Sequence, residues 1–76
     1  MFDVMSYAER NNVEMTVRRS RDGRTLWEIL MHDRAKGAVE FTRIIVIEMR
    51  GKSDLEKERL LTKRCDEMLA KLRAAC

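Results

Sequence analysis

From Ser53 to Cys76 the chain contains neither glycine nor proline, and its apolar residues in this stretch repeat with the period of a helix. Leu61, Cys65, Met68, Leu72 and Ala75 recur at spacings of four and three, and Leu60 and Leu69 widen the stripe. Ser53 with Glu56 three residues on has the form of a capping box. Lys63 and Glu67, then Glu67 and Lys71, are placed as i,i+4 ion pairs on the wet side. The segment near 54–74 is therefore predicted to be one long amphipathic helix. A helix with a single apolar stripe must lie on another layer. With 76 residues in all, only about fifty remain to build that layer.

Those residues read as strands. Val13, Met15 and Val17 alternate with Glu14, Thr16 and Arg18, the period of a half-buried strand near 13–20. Asp22-Gly23 is a strong hairpin-turn signal. Beyond it, Trp27, Ile29 and Met31 would share one face of a second strand near 25–32. Ala35-Lys36-Gly37 forms the next break, and Val39 to Met49 is rich in β-branched residues, predicting a third strand near 39–49. Residues 1–12 form a short helical or irregular lead-in closed by Asn11-Asn12. The expected fold is α+β: a three-stranded antiparallel sheet packed by one C-terminal helix, in the order β-β-β-α, as a single small domain over 1–76. The alternative order is β-α-β-α. Thr25 and Glu28 also have capping-box spacing, Leu26, Ile29 and Leu30 would line a short helix, and Gly37 stands where a helix C′ glycine would.

A domain of this size buries only about 60% of the surface of its unfolded chain and often needs a staple. The two cysteines do not supply one. On one helix, Cys65 and Cys76 would share a face but lie about 16 Å apart along the axis, too far for a disulfide. His32, Cys65 and Cys76 do not make a four-ligand set, so no metal or other cofactor is expected. A second subunit is the remaining candidate. In the third strand Phe41, Ile45, Ile47 and Met49 would lie on one face and Ile44 and Val46 on the other. One helix covers one face, so Ile44 and Val46 are predicted to form a homodimer interface. The rival cover is the N-terminal segment with Phe2, Val4, Met5 and Tyr7.

Charge points to a partner. The formal net charge is +3, and residues 18–24 alone hold Arg18, Arg19, Arg21 and Arg24 against Asp22. A cationic hairpin tip of this kind suits a phosphate backbone, because arginine makes bidentate contacts there. It also suits a solubilising turn. The other bases are mixed evenly with acids, and aromatic residues make up only 5% of the chain, so no stacking platform for single strands is expected. Gly51-Lys52-Ser53 lies between a strand and a helix, but position 46 is Val46 where a phosphate-binding loop has its first glycine. The segment reads as a tight turn with Ser53 as N-cap, and Lys52 is an auxiliary contact for one phosphate.

Catalysis has little support. His32 is the only histidine, there is no Gly-x-Ser-x-Gly elbow, and no serine or cysteine has an activating partner nearby in sequence. His32 is assigned no role, and no small-molecule substrate is expected. No apolar run approaches the roughly 18 residues of a membrane span. The opening Met1-Phe2-Asp3-Val4 lacks signal-peptide character, so no membrane association and a cytoplasmic location are expected.

The element order, with Val17-Arg18-Arg19, Asp22-Gly23 and then Trp27, resembles the arm-binding domains of phage integrases, whose three-stranded sheet enters the DNA major groove. It is also similar in order to double-stranded RNA-binding domains, where Gly51-Lys52-Ser53 matches the opening of the last helix. Asp54 and Leu55 stand where that family has its lysine pair, and its Gly-Pro-x-His loop is missing. These matches cover a handful of positions and assign no family. The reading that results is a non-enzymatic small binding protein, associated with nucleic acid through Arg18, Arg19, Arg21 and Arg24 with Lys52. The alternative is a phage-type inhibitor or regulator that docks on a host protein complex handling nucleic acid and blocks it by occlusion.

Overall fold

The structure is a computed structural model and describes residues 2–19 and 23–74. Helix α1 (Val4–Asn11) leads into strands β1 (Glu14–Arg19), β2 (Thr25–Asp33) and β3 (Ala38–Ile45); a short helix α2 (Val46–Met49) and the long helix α3 (Asp54–Ala74) follow. The sheet order is β1-β2-β3, antiparallel throughout. This is the expected β-β-β-α architecture. Residues 25–33 form a strand because pairing on both sides, Val17 to Ile29 and Ile29 to Thr42 for example, overrides the local capping-box signal.

The two longer helices, α1 and α3, start at side-chain caps. The Asp3 carboxylate accepts hydrogen bonds from the backbone N–H groups of Met5 (3.0 Å) and Ser6 (3.2 Å), and α1 ends at Asn12 in a left-handed conformation (φ 55°). At the start of α3, Ser53 Oγ accepts from the Glu56 N–H (3.3 Å) while a Glu56 carboxylate oxygen accepts from Ser53 N–H (3.4 Å). That is the predicted capping box. Gly51 precedes it at φ 75°, a value that favours glycine.

The core lies between the sheet and α3. Ile29, Met31, Ile44, Cys65 and Leu72 are fully buried, and Leu61 and Met68 complete the helix stripe. Burying a side chain of this size contributes roughly 1.5–3 kcal/mol. Tyr7 of α1 joins the same core, and its hydroxyl donates to Asp66 of α3 at 2.6 Å. The N-terminal helix therefore packs beside α3, on the helix side of the sheet, and does not cover the outer face.

The third strand departs from expectation. It ends at Ile45 instead of continuing to Met49, because the Ile45 N–H is taken by a Glu48 carboxylate oxygen (2.8 Å) and the chain turns into α2. Its facing is also reversed. Ile44 points into the core and is completely buried, whereas Phe41 and Ile45 lie on the outer face. Val46 is half-buried at the first position of α2, outside the strand altogether. The predicted pairing of Ile44 and Val46 on one uncovered strand face is thus corrected. The inward positions before Ile44 are Glu40 and Thr42, polar residues that tolerate the margin of the core; Arg64 of α3 donates to Thr42 Oγ1 at 3.3 Å.

Candidate functional site

Arg18 and Arg19 are the last two residues of β1 and both are exposed. Consecutive strand residues point to opposite faces. Arg18 lies on the outer face, where its Nε donates to a Glu28 carboxylate oxygen at 3.0 Å. Arg19 lies opposite Trp27 on the helix side. Arg24 is exposed at the start of β2, and its carbonyl accepts a hydrogen bond from the Val46 N–H at 2.8 Å. That bond ties the base of the hairpin to α2, so the turn that follows, with Arg50 exposed and Lys52 half-buried, emerges at the same end of the sheet. Arg21 lies outside the described residues. The structure therefore gathers Arg18, Arg19, Arg24 and the Lys52 turn at one end but spreads them around it. Arg50 was missed; its place before Gly51, at a strand-to-helix turn, was the available signal.

A second surface is the outer face of the sheet. The register sets it in three rows across β1, β2 and β3: Glu14–His32–Val39, then Thr16–Leu30–Phe41, then Arg18–Glu28–Arg43. Val39 is 54% exposed, Phe41 47%, Leu30 39% and Ile45 37%. The Arg43 guanidinium sits 5.6 Å from the centre of the Phe41 ring, within cation–π range. Within the rows two acids, Glu14 and Glu28, balance two bases, Arg18 and Arg43, and Arg34 pairs with Glu14 at the margin. Val39, Leu30 and Phe41 form the exposed apolar part of the face, and the rows together lack the electrostatic footprint of a polyanion site.

A partly open cleft of about 610 Å³ lies on the other side of the sheet, between the N-terminal segment and the first turns of α3. Val17, Trp27, Ile29 and Leu61 form its apolar walls, with Asp54 and Lys57 at its rim. Among the described residues its lining holds no histidine, cysteine or serine. His32 stands half-buried on the outer face between Glu14 and Val39. Cys65 is a free thiol in the core, and burial, reinforced by the adjacent Asp66 charge, pushes its pKa up to about 11. Among the described residues no group of three or more His, Cys, Asp or Glu side chains is placed to hold a metal ion.

No helix among the described residues is long and apolar enough to cross a membrane. Comparison of the chain with protein-family models, with curated proteins and with solved structures finds no match.

Proposed function

We propose that this chain is a non-enzymatic binding protein whose cationic end contacts the phosphate backbone of nucleic acid. The observation that carries the reading is the bond from Val46 N–H to the Arg24 carbonyl, which sets the Arg50–Lys52 turn beside the hairpin that bears Arg18 and Arg19. A two-stranded ribbon fits the major groove. Because Arg18 and Arg19 point to opposite faces, a hairpin entering end-on presents one arginine toward each flanking strand. Such phosphate contacts position a protein without reading sequence.

The test is a salt series with duplex DNA and duplex RNA. Affinity should fall steeply with salt as counterions are released. The Arg19→Ala/Arg24→Ala variant should bind more weakly and lower the slope of log K against log salt by about 2. Its stability should stay within about 0.5 kcal/mol of the parent chain, as for exposed surface changes. Absence of binding at low salt rejects the proposal.

The bond between Arg18 and Glu28 favours a second reading. It removes part of the charge available to a polyanion and suits a folded acidic protein surface, as on a protein of a nucleic-acid-handling complex blocked by occlusion. Affinity purification with and without nuclease separates the two, because a protein target persists after digestion.

A further inference from the structure

We infer that the outer face of the sheet is a self-association surface, and that its occupant is a second copy of this chain related by a twofold axis running across the strands along the row Thr16–Leu30–Phe41. The argument is charge complementarity imposed by the register. Rotation about that axis lays each strand over its own copy and reverses the order of the rows. The central row meets itself, so Leu30 packs on Leu30 of the second copy and Phe41 on its Phe41. The row Glu14–His32–Val39 then meets the row Arg18–Glu28–Arg43. Glu14 faces Arg18, His32 faces Glu28, and Val39 faces the aliphatic stem of Arg43. Within the three rows no like charges oppose one another. The alternative axis, along the strands, keeps each row on itself and sets Glu28 against Glu28 once and Arg18 against Arg43 twice, three repulsive contacts. Only the first arrangement covers the exposed apolar side chains and pairs the charges around them.

The area sets the strength. Three strands spaced about 4.8 Å apart and some eight residues long give a footprint of roughly 350 Å² per copy. The two copies together bury less than the roughly 1,200 Å² at the lower limit of standard stable interfaces. The association is therefore weak and concentration-dependent. It shares only Arg18 with the cationic end; Arg19, Arg24 and the Lys52 turn take no part, and the twofold axis sends the two cationic ends in opposite directions, so the Arg19→Ala/Arg24→Ala variant tests the nucleic-acid contact separately.

Sedimentation equilibrium on nuclease-treated protein tests it. The parent chain should rise in mass from the 9.0 kDa monomer toward twice that value as concentration increases up to about 1 mM, the range in which binding is worth about 4 kcal/mol. Phe41→Glu places like charges across the axis and should weaken association at least tenfold. Arg18→Glu should weaken it by setting two acids together, and adding Glu14→Arg should restore it. This swap pair decides the matter if Phe41→Glu disturbs the fold in a thermal melt. A monomer at every concentration, association that survives Phe41→Glu in a folded protein, or a charge swap without rescue each overturns the inference. A complex that forms only when nucleic acid is present overturns it as well.

Discussion

Arg64 of α3 and Glu48 of α2 meet across the edge of β3 and between them satisfy two of its backbone groups. Arg64 Nη1 donates to the Arg43 carbonyl at 2.9 Å, Glu48 accepts from the Ile45 N–H at 2.8 Å, and the two side chains are themselves paired. An edge strand with free N–H and C=O groups is a template for pairing with other chains. This pair closes the C-terminal end of that edge.

Removing it should therefore act on stability and on solubility together. Arg64→Ala leaves the Arg43 carbonyl and the Glu48 carboxylate without their partner and should cost about 1–3 kcal/mol. Urea unfolding checks this as a lower midpoint at unchanged slope. Light scattering near the midpoint should rise relative to the parent chain. An unchanged midpoint means that the pair does not stabilise the strand end.

Adjacent residues of β3 should respond in opposite ways. Ile44 is fully buried and Ile45 is 37% exposed. Ile44→Ala leaves a cavity under α3 and should cost about 2–5 kcal/mol. Ile45→Ala should cost less than half as much, since much of that side chain is already in water. The reverse order in a denaturant series would restore the facing predicted from sequence.

Alkaline pH should destabilise the fold through Tyr7. Burial, the hydrogen bond to Asp66 and the Asp66 charge all hold its phenol well above the usual value near 10. A folded-state pKa raised above the unfolded one contributes stability that is complete below about pH 10. That stability is lost as pH climbs from there toward the folded value. Tyr7 is the only tyrosine, so its absorbance titration is unambiguous. In Asp66→Asn the midpoint should fall, and in Tyr7→Phe the alkaline loss of stability should shrink.

The thiol of Cys65 should be inert in the folded protein. With its pKa raised to about 11, only about one molecule in a thousand carries the reactive thiolate at pH 8. In a Cys76→Ser background, a thiol reagent should label Cys65 slowly in buffer and rapidly in denaturant. Fast labelling in buffer contradicts a closed core around this residue.

The sequence carried the helix and the strand order because both rest on periodicities set by one buried face. Trp27, Ile29 and Met31 do share the helix side of the sheet, and Leu61, Cys65, Met68 and Leu72 do form the stripe that covers it. The facing of β3 was not legible. Ile44 to Ile47 is apolar at every position, so alternation has no sign there, and the large apolar residue Phe41 points to solvent while Glu40 and Thr42 point inward. The inward polar positions make sense only with α3 in place, since Thr42 accepts from Arg64. For the same reason the end of the strand was hidden. Glu48 reads as one more alternating residue until its carboxylate is seen on the Ile45 N–H. The arginine cluster was visible as composition, but its spread around the end of the sheet depends on the parity of Arg18 and Arg19 in β1.

The bonds that seat α1 have a consequence for how the chain is made. Tyr7 finds its partner at Asp66, and the Asn11 carbonyl finds its partner at Arg73, whose own carbonyl also receives the Lys36 ammonium. A ribosome makes β1, β2 and β3 before α3, so their inward face with Ile29, Met31 and Ile44 stays wet until α3 has emerged. Until then α1 has its packing on β1 but lacks its Asp66 and Arg73 partners. These bonds, between residues 59 and 62 positions apart, close after neighbouring strands have paired.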